Sequence, residues 1–228
     1  MELDGSNAGS GASGLRIEAP SVVVRGLAIN RFAANGIDIS GGTGTRIEGN
    51  FVGTDASGTL DLGNGDGVDI KSGTKSTIGG TMSASRNLIS GNGKAIRVFA
   101  ESFAESNRVQ GNLIGVKKDA TSPLGGPQVG IEILTSGNII GGAEPGAGNV
   151  IAHSFGPGVM VFGTTGNPIL SNSIFSNGGM GIDLANDGRT LNDPKDPDSG
   201  PNSRQNFPEL ASAVKSSGGK YDYRRDTR

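Results

Sequence analysis

Two groups of residues in this 228-residue chain have the types and spacing for chemistry. The first comes from a recurring tetrad of small, apolar, any and apolar residue. Its third positions give Asp38, Asp69, Arg97, Glu132, Met160 and Asp183. Alternate residues of a strand point to opposite faces, so these side chains share the outward face. If equivalent strands stack at ~4.8 Å, they form one column. An arginine set between acids combines groups that can pair charge and move protons, which makes Asp69, Arg97 and Glu132 the catalytic candidates of the column. The same arrangement also describes a solvated face in which Arg97 relieves like-charge stacking. The second group lies in Asn192-Asp193-Pro194-Lys195-Asp196-Pro197-Asp198, where carboxylates alternate with turn formers. Calcium takes oxygen ligands from such loops, which makes Asp193, Asp196 and Asp198 candidate ligands. An Asp/Pro turn without metal fits the same residues.

Other chemistries are excluded by composition. With no cysteine there is neither a disulfide framework nor a cysteine zinc site. The one histidine, His153, follows a predicted strand and has no nucleophile pattern around it. Eight Phe, two Tyr and no Trp make a poor stacking platform for single-stranded nucleic acid. A net charge of −2 gives no drive toward phosphate backbones or anionic membranes. No apolar run approaches the ~20 residues of a membrane-spanning helix. We therefore expect no nucleic-acid partner and no membrane insertion.

The elements that must position these residues are strands. Asn-Gly pairs at Asn35, Asn64, Asn92 and Asn177 punctuate short β-branched runs of period two. The tetrads begin at Gly14, Gly36, Gly67, Ala95, Gly130, Gly158 and Gly181. A longer period overlies them. Glu48–Gly53 (EGNFVG) returns as Gln110–Gly115 (QGNLIG), and Thr77–Gly80 returns as Ile139–Gly142. A fixed period carried by strands, with no helix in the unit, predicts a right-handed parallel β-helix of about six to eight coils. The pairs Ile37/Ile39, Val68/Ile70, Ile96/Val98, Ile131/Ile133, Val159/Val161 and Ile182/Leu184 should line one inner wall. Asn50 and Asn112 fall on equivalent corners, with Asn92 and Asn172 in similar contexts; such amides either stack inside or face solvent at turns. The extra residues 54–66 and 116–129 should be loops on one side.

The stretches Gly49–Ile70 and Ile78–Asn92, with the ending Ser173–Leu210, resemble the parallel β-helix repeats of large bacterial surface and secreted proteins. That resemblance covers about residues 2–213 and implies an extracellular or cell-surface setting. It implies a structural or adhesive segment, with polysaccharide or cell-surface glycan as the expected partner. The wider pectate-lyase-like superfamily also holds polysaccharide lyases, hydrolases and epimerases, so an enzyme on acidic polysaccharide, or a carbohydrate-binding module, stays open. The Asp-Pro-His-Asp, Asn-Thr-Asp and Gly-His-Gly strings of some of those enzymes are absent.

The expected organisation is coils over 1–185, a capping segment over 186–213 and a disordered tail over 214–228. Pro194, Pro197, Pro201 and Pro208 cannot donate ladder hydrogen bonds, so 186–210 is not another regular coil. Phe207 and Leu210 are expected to fold over the end of the stack.

Overall fold

A computed structural model describes residues 1–99, 106–207, 210–215 and 221–225. Three parallel sheets run the length of the body, and each turn of the chain visits them in the same order. The first sheet stacks Glu2–Asp4, Ala28–Asn30, Phe51–Val52, Leu88–Ile89, Leu113–Ile114, Val150–Ala152 and Ser173–Phe175. The second stacks Leu15–Ile17, Asn35–Ile39, Asp66–Ile70, Lys94–Val98, Val129–Ile133, Val159–Val161 and Ile182–Leu184. The third has six strands, from Val23–Arg25 to Ile169–Leu170. The chain is thus a parallel β-helix of six full coils and two strands of a seventh. The long sequence period is two coils: Phe51 pairs with Leu88, and Leu88 with Leu113.

Period two drives this packing. In the second sheet Ile37, Val68, Ile96, Ile131 and Val159 lie in register, as do Ile39, Ile70, Val98, Ile133 and Val161, and all are fully buried. Ile29, Ile89, Ile114 and Ile151 face them from the first sheet, with Ile47, Ile78, Val109 and Ile140 from the third. Burying one such side chain contributes about 1.5–3 kcal/mol, so the stacked columns are the main source of stability. The small residue of each tetrad marks a close approach. A Cβ on Gly36 would sit 2.8 Å from Val52 Cγ1 and 2.9 Å from the Gly67 carbonyl.

The inner wall fails at one place. There Ile182, expected inside, is 38% exposed and Leu184 is half-buried, because their coil is the last and no further strand pairs with it.

The two loops behave alike. Thr54 bridges Asp61 and Val116 bridges Pro123, each closing a small antiparallel flap. A second apolar cluster of Leu88, Leu113, Val116 and Ala152, joined by Phe51, Ala120, Val150 and Phe175, forms beside the first sheet. Asp55 organises its flap by accepting the amide N–H groups of Ser57, Thr59 and Leu60. Those donors, with the Ser57 hydroxyl, hold the Asp55 carboxyl well below the usual carboxylate range.

The corners carry asparagines stacked on asparagines. Asn50, Asn87, Asn112, Asn149 and Asn172 form one ladder, each just before a first-sheet strand. The amide of each of the first four donates to the side-chain oxygen of the next at 2.8–3.2 Å. Their amides also donate to the main-chain carbonyls of Val24, Ile47, Ile78 and Val109. Asn64 and Asn92 pair at the corner between the first and second sheets. Asn107, Asn138 and Asn167 do so at the third corner. Of the two readings of these amides, stacking inside holds for Asn50, Asn92 and Asn112, which are at most 2% exposed. Asn92 and Asn172 belong to different ladders.

Residues 186–207 cross the end of the stack without a regular strand of their own. Pro201–Arg204 forms a short 3-10 turn in which Asn202, Ser203 and Arg204 take left-handed dihedrals. Asn202 continues the third ladder: its side-chain oxygen accepts the Asn167 N–H at 3.0 Å, and its amide donates to the Asn167 carbonyl at 2.7 Å. Phe207 stands beside the last coil with the Arg189 guanidinium 4.6 Å from its ring centre. Pro208 and the Leu210 side chain lie outside the described residues. Of the expected tail, Val214 and Lys215 end the strand Leu210–Lys215, which pairs antiparallel with Tyr221–Arg225. The rest of 214–228 lies outside the described residues.

Candidate functional site

The second sheet presents the column expected from the tetrads. Arg16, Asp38, Asp69, Arg97, Glu132, Met160 and Asp183 stand in continuous register across seven strands. Strand register brings all six named positions together and adds Arg16 beneath them.

Their setting differs from a solvated face. Asp38, Asp69, Glu132 and Asp183 are only 2–7% exposed. Long neighbours cover Asp38, Asp69 and Glu132, while Asp183 Oδ1 is buried without a hydrogen-bond partner among the described residues. Lys71 Nζ lies 2.7 Å from Asp38 Oδ2 and 3.9 Å from Asp69 Oδ2. Lys94 Nζ lies 3.0 Å from Glu132 Oε2, and Arg97 Nε lies 2.9 Å from the same oxygen. The Arg97 contact is an ion pair by distance and lacks hydrogen-bond alignment. Arg97 also stacks on Phe99, 4.5 Å from the ring centre. Ser40 donates its hydroxyl to Asp38 Oδ1, and Asn35 donates its amide to Asp69 Oδ2 at 3.3 Å.

Asp69 is the centre of this cluster. Its Oδ1 is buried and has no hydrogen-bond partner. Burial pushes its carboxyl up to about 6; Arg97 and Lys71 oppose the shift, and Asp38 and Asp66 add to it. A cavity of about 570 Å³ opens beside it, lined by Ser13, Asn35, Asp38, Asp66, Lys71 and Arg97 among others. A carboxyl that changes charge near pH 6 beside fixed cations can bind hydroxyl groups or move a proton. Lys71 and Lys94 escape the tetrad pattern because neither occupies its third position. Period two does carry a signal for Lys71, which sits two residues past Asp69 on the same face.

The second candidate set is not gathered. Asp196 accepts the Asn206 N–H at 3.1 Å, while Asn206 also receives the Asp193 N–H and donates to the Asp193 carbonyl. Among the described residues no group of three or more His, Asp or Glu side chains is arranged to hold a metal ion. Asn206 makes the cross-links of the loop that carries Asp193, Asp196 and Asp198.

His153 is held locally. Its Nε2 lies 2.9 Å from the Thr121 carbonyl, and its ring meets Phe175 edge-on at 5.9 Å. Among the described residues no helix is long and apolar enough to cross a membrane. No family model, no curated protein and no solved structure matches this chain.

Proposed function

We propose that this chain is a structural or adhesive β-helix segment of a bacterial extracellular or cell-surface protein, of the pectate-lyase-like type, without turnover of its own. The observation that supports this reading is the in-register neutralisation of the outward column. Asp38 and Asp69 share Lys71, and Glu132 holds both Lys94 and Arg97. Cations committed to neighbouring coils are poorly free to meet a substrate. The partner expected of an adhesive segment is a cell-surface glycan.

A second reading is an enzyme acting on acidic polysaccharide. One observation favours it: Asp69, its carboxyl raised to about 6, with an unpartnered oxygen beside a cavity of about 570 Å³. In that reading Asp69 moves the proton while Arg97 and Glu132 flank it.

Incubation with uronate polymers, with and without calcium, separates the two. The structural reading expects no release of unsaturated or reducing ends. Turnover that disappears in Arg97→Ala would overturn it. A glycan array tests the adhesive part, and binding to no glycan leaves a spacer role alone.

A further inference from the structure

The last two coils and the segment that crosses them border an open cavity of about 450 Å³. Ile169, Leu170, Met180, Ile182 and Leu184 form its apolar floor, and Phe207 stands at its wall. This volume falls within the ~300–1,000 Å³ of small-molecule sites. The floor is the open end of the hydrophobic core. Leu170 and Ile182 are 45% and 38% exposed, and water held against them is unfavourable. None of the lining residues carries a charge. Its amides are mostly spent: Asn202 is bonded to Asn167, and Asn206 to Asp193. Gln205, exposed at the mouth, alone brings a side-chain amide without a hydrogen bond among the described residues. The Arg189 guanidinium lies over the Phe207 ring, which forms the aromatic wall of the cavity.

We infer that this cavity binds a small, uncharged, largely apolar planar molecule with one hydrogen-bonding group, packed on Phe207 and reaching Gln205. The lining decides each attribute. Having no charge, it repays no desolvated ion. Its floor rewards apolar area, and its single free amide gives one polar anchor. The site is far along the chain from the Asp69 cluster and does not depend on the function proposed above.

Indole is a suitable probe. The chain has no tryptophan, so indole emission is read without background from the protein's own indole rings. Titrating the whole chain into indole should give a saturable blue shift, with half-saturation on the order of 1 mM or tighter. Leu170→Phe, which fills the floor, should weaken this at least about tenfold, and Phe207→Leu should do so by about threefold. Indole-3-acetate and tryptamine, which carry a charge, should bind at least about tenfold more weakly than indole. No saturable shift would overturn the inference and leave the cavity to the chain's own C-terminal residues. Equal binding by Leu170→Phe, with its fold confirmed by circular dichroism, would place the indole elsewhere and also overturn it. So would equal binding of the charged analogues.

Discussion

Two columns run along this molecule, and they solve the same problem differently. The inner ladder from Asn50 to Asn172 repeats one residue type at every coil. The outer column from Arg16 to Asp183 places charged side chains on the same rise. An amide is both donor and acceptor, so identical amides satisfy one another and the ladder closes on itself. A carboxylate only accepts, so stacked acids repel and orphan their oxygens. The outer column therefore interleaves Lys71, Lys94 and Arg97, and still leaves Asp69 Oδ1 unpartnered. A self-complementary column can be buried throughout; a charged one leaves a residue poised to titrate.

The largest effect should follow from breaking the ladder at its centre. Asn112 accepts a hydrogen bond from the Asn87 amide, and its own amide donates to the Asn149 side-chain oxygen and to the Ile78 carbonyl. Asn112→Leu orphans those partners, each worth about 1–3 kcal/mol, so a loss of about 4 kcal/mol in urea unfolding is expected. Asn112→Asp sharpens the contrast. It keeps the shape, removes the donor, and should cost at least as much at neutral pH but less in acid.

Cutting the outer column should cost less. Arg97→Ala removes a cation from Glu132 and leaves Lys94 to hold it. We expect a loss of about 2 kcal/mol, with Arg97→Lys recovering part of it.

Asp69 gives the column its pH dependence. In the folded chain its proton leaves near 6, against 3.8 for an ordinary aspartate. Between those values the folded state binds more protons than the unfolded chain. The contribution of Asp69 is thus fully present below about 3.8 and is lost as pH rises through about 6. Asp69→Asn should flatten that part of the midpoint-against-pH curve. An unchanged slope would mean that the carboxyl does not titrate there.

The smallest effect lies at the terminal rung. Asn202 belongs to a segment at the end of the stack, and among the described residues its side chain bonds only to Asn167. Asn202→Ala should cost about 1 kcal/mol and raise hydrogen exchange in 186–207, leaving the central coils protected.

The difference between the columns also explains what the sequence made legible. The outer column could be read because Ile-Asp-Ile and Ile-Glu-Ile carry their face in their spacing, and period two leaves no choice. The Asn112 corner was legible as a corner but open between solvent and interior, since a turn asparagine and a ladder asparagine look alike. Only the coil-to-coil register decides, and that is a long-range fact. The burial of Asp38 and Asp69 was illegible for a similar reason. Lys71 covers both, and its reach across one coil depends on stacking. The cavity beneath 186–207 left no trace at all, because prolines and amides specify a crossing segment without specifying how closely it packs.

In the proposed structural role, the charges of the outer column hold coils together and do no chemistry. Unsaturated-product absorbance from a pectate-type uronate polymer, followed at pH 5 to 9 with calcium present, tests it most directly when wild type is run beside Arg97→Ala and Asp69→Asn. The account predicts no product from any of the three, with the two variants differing from wild type only in stability. Product from wild type that falls in both variants while they remain folded would contradict it.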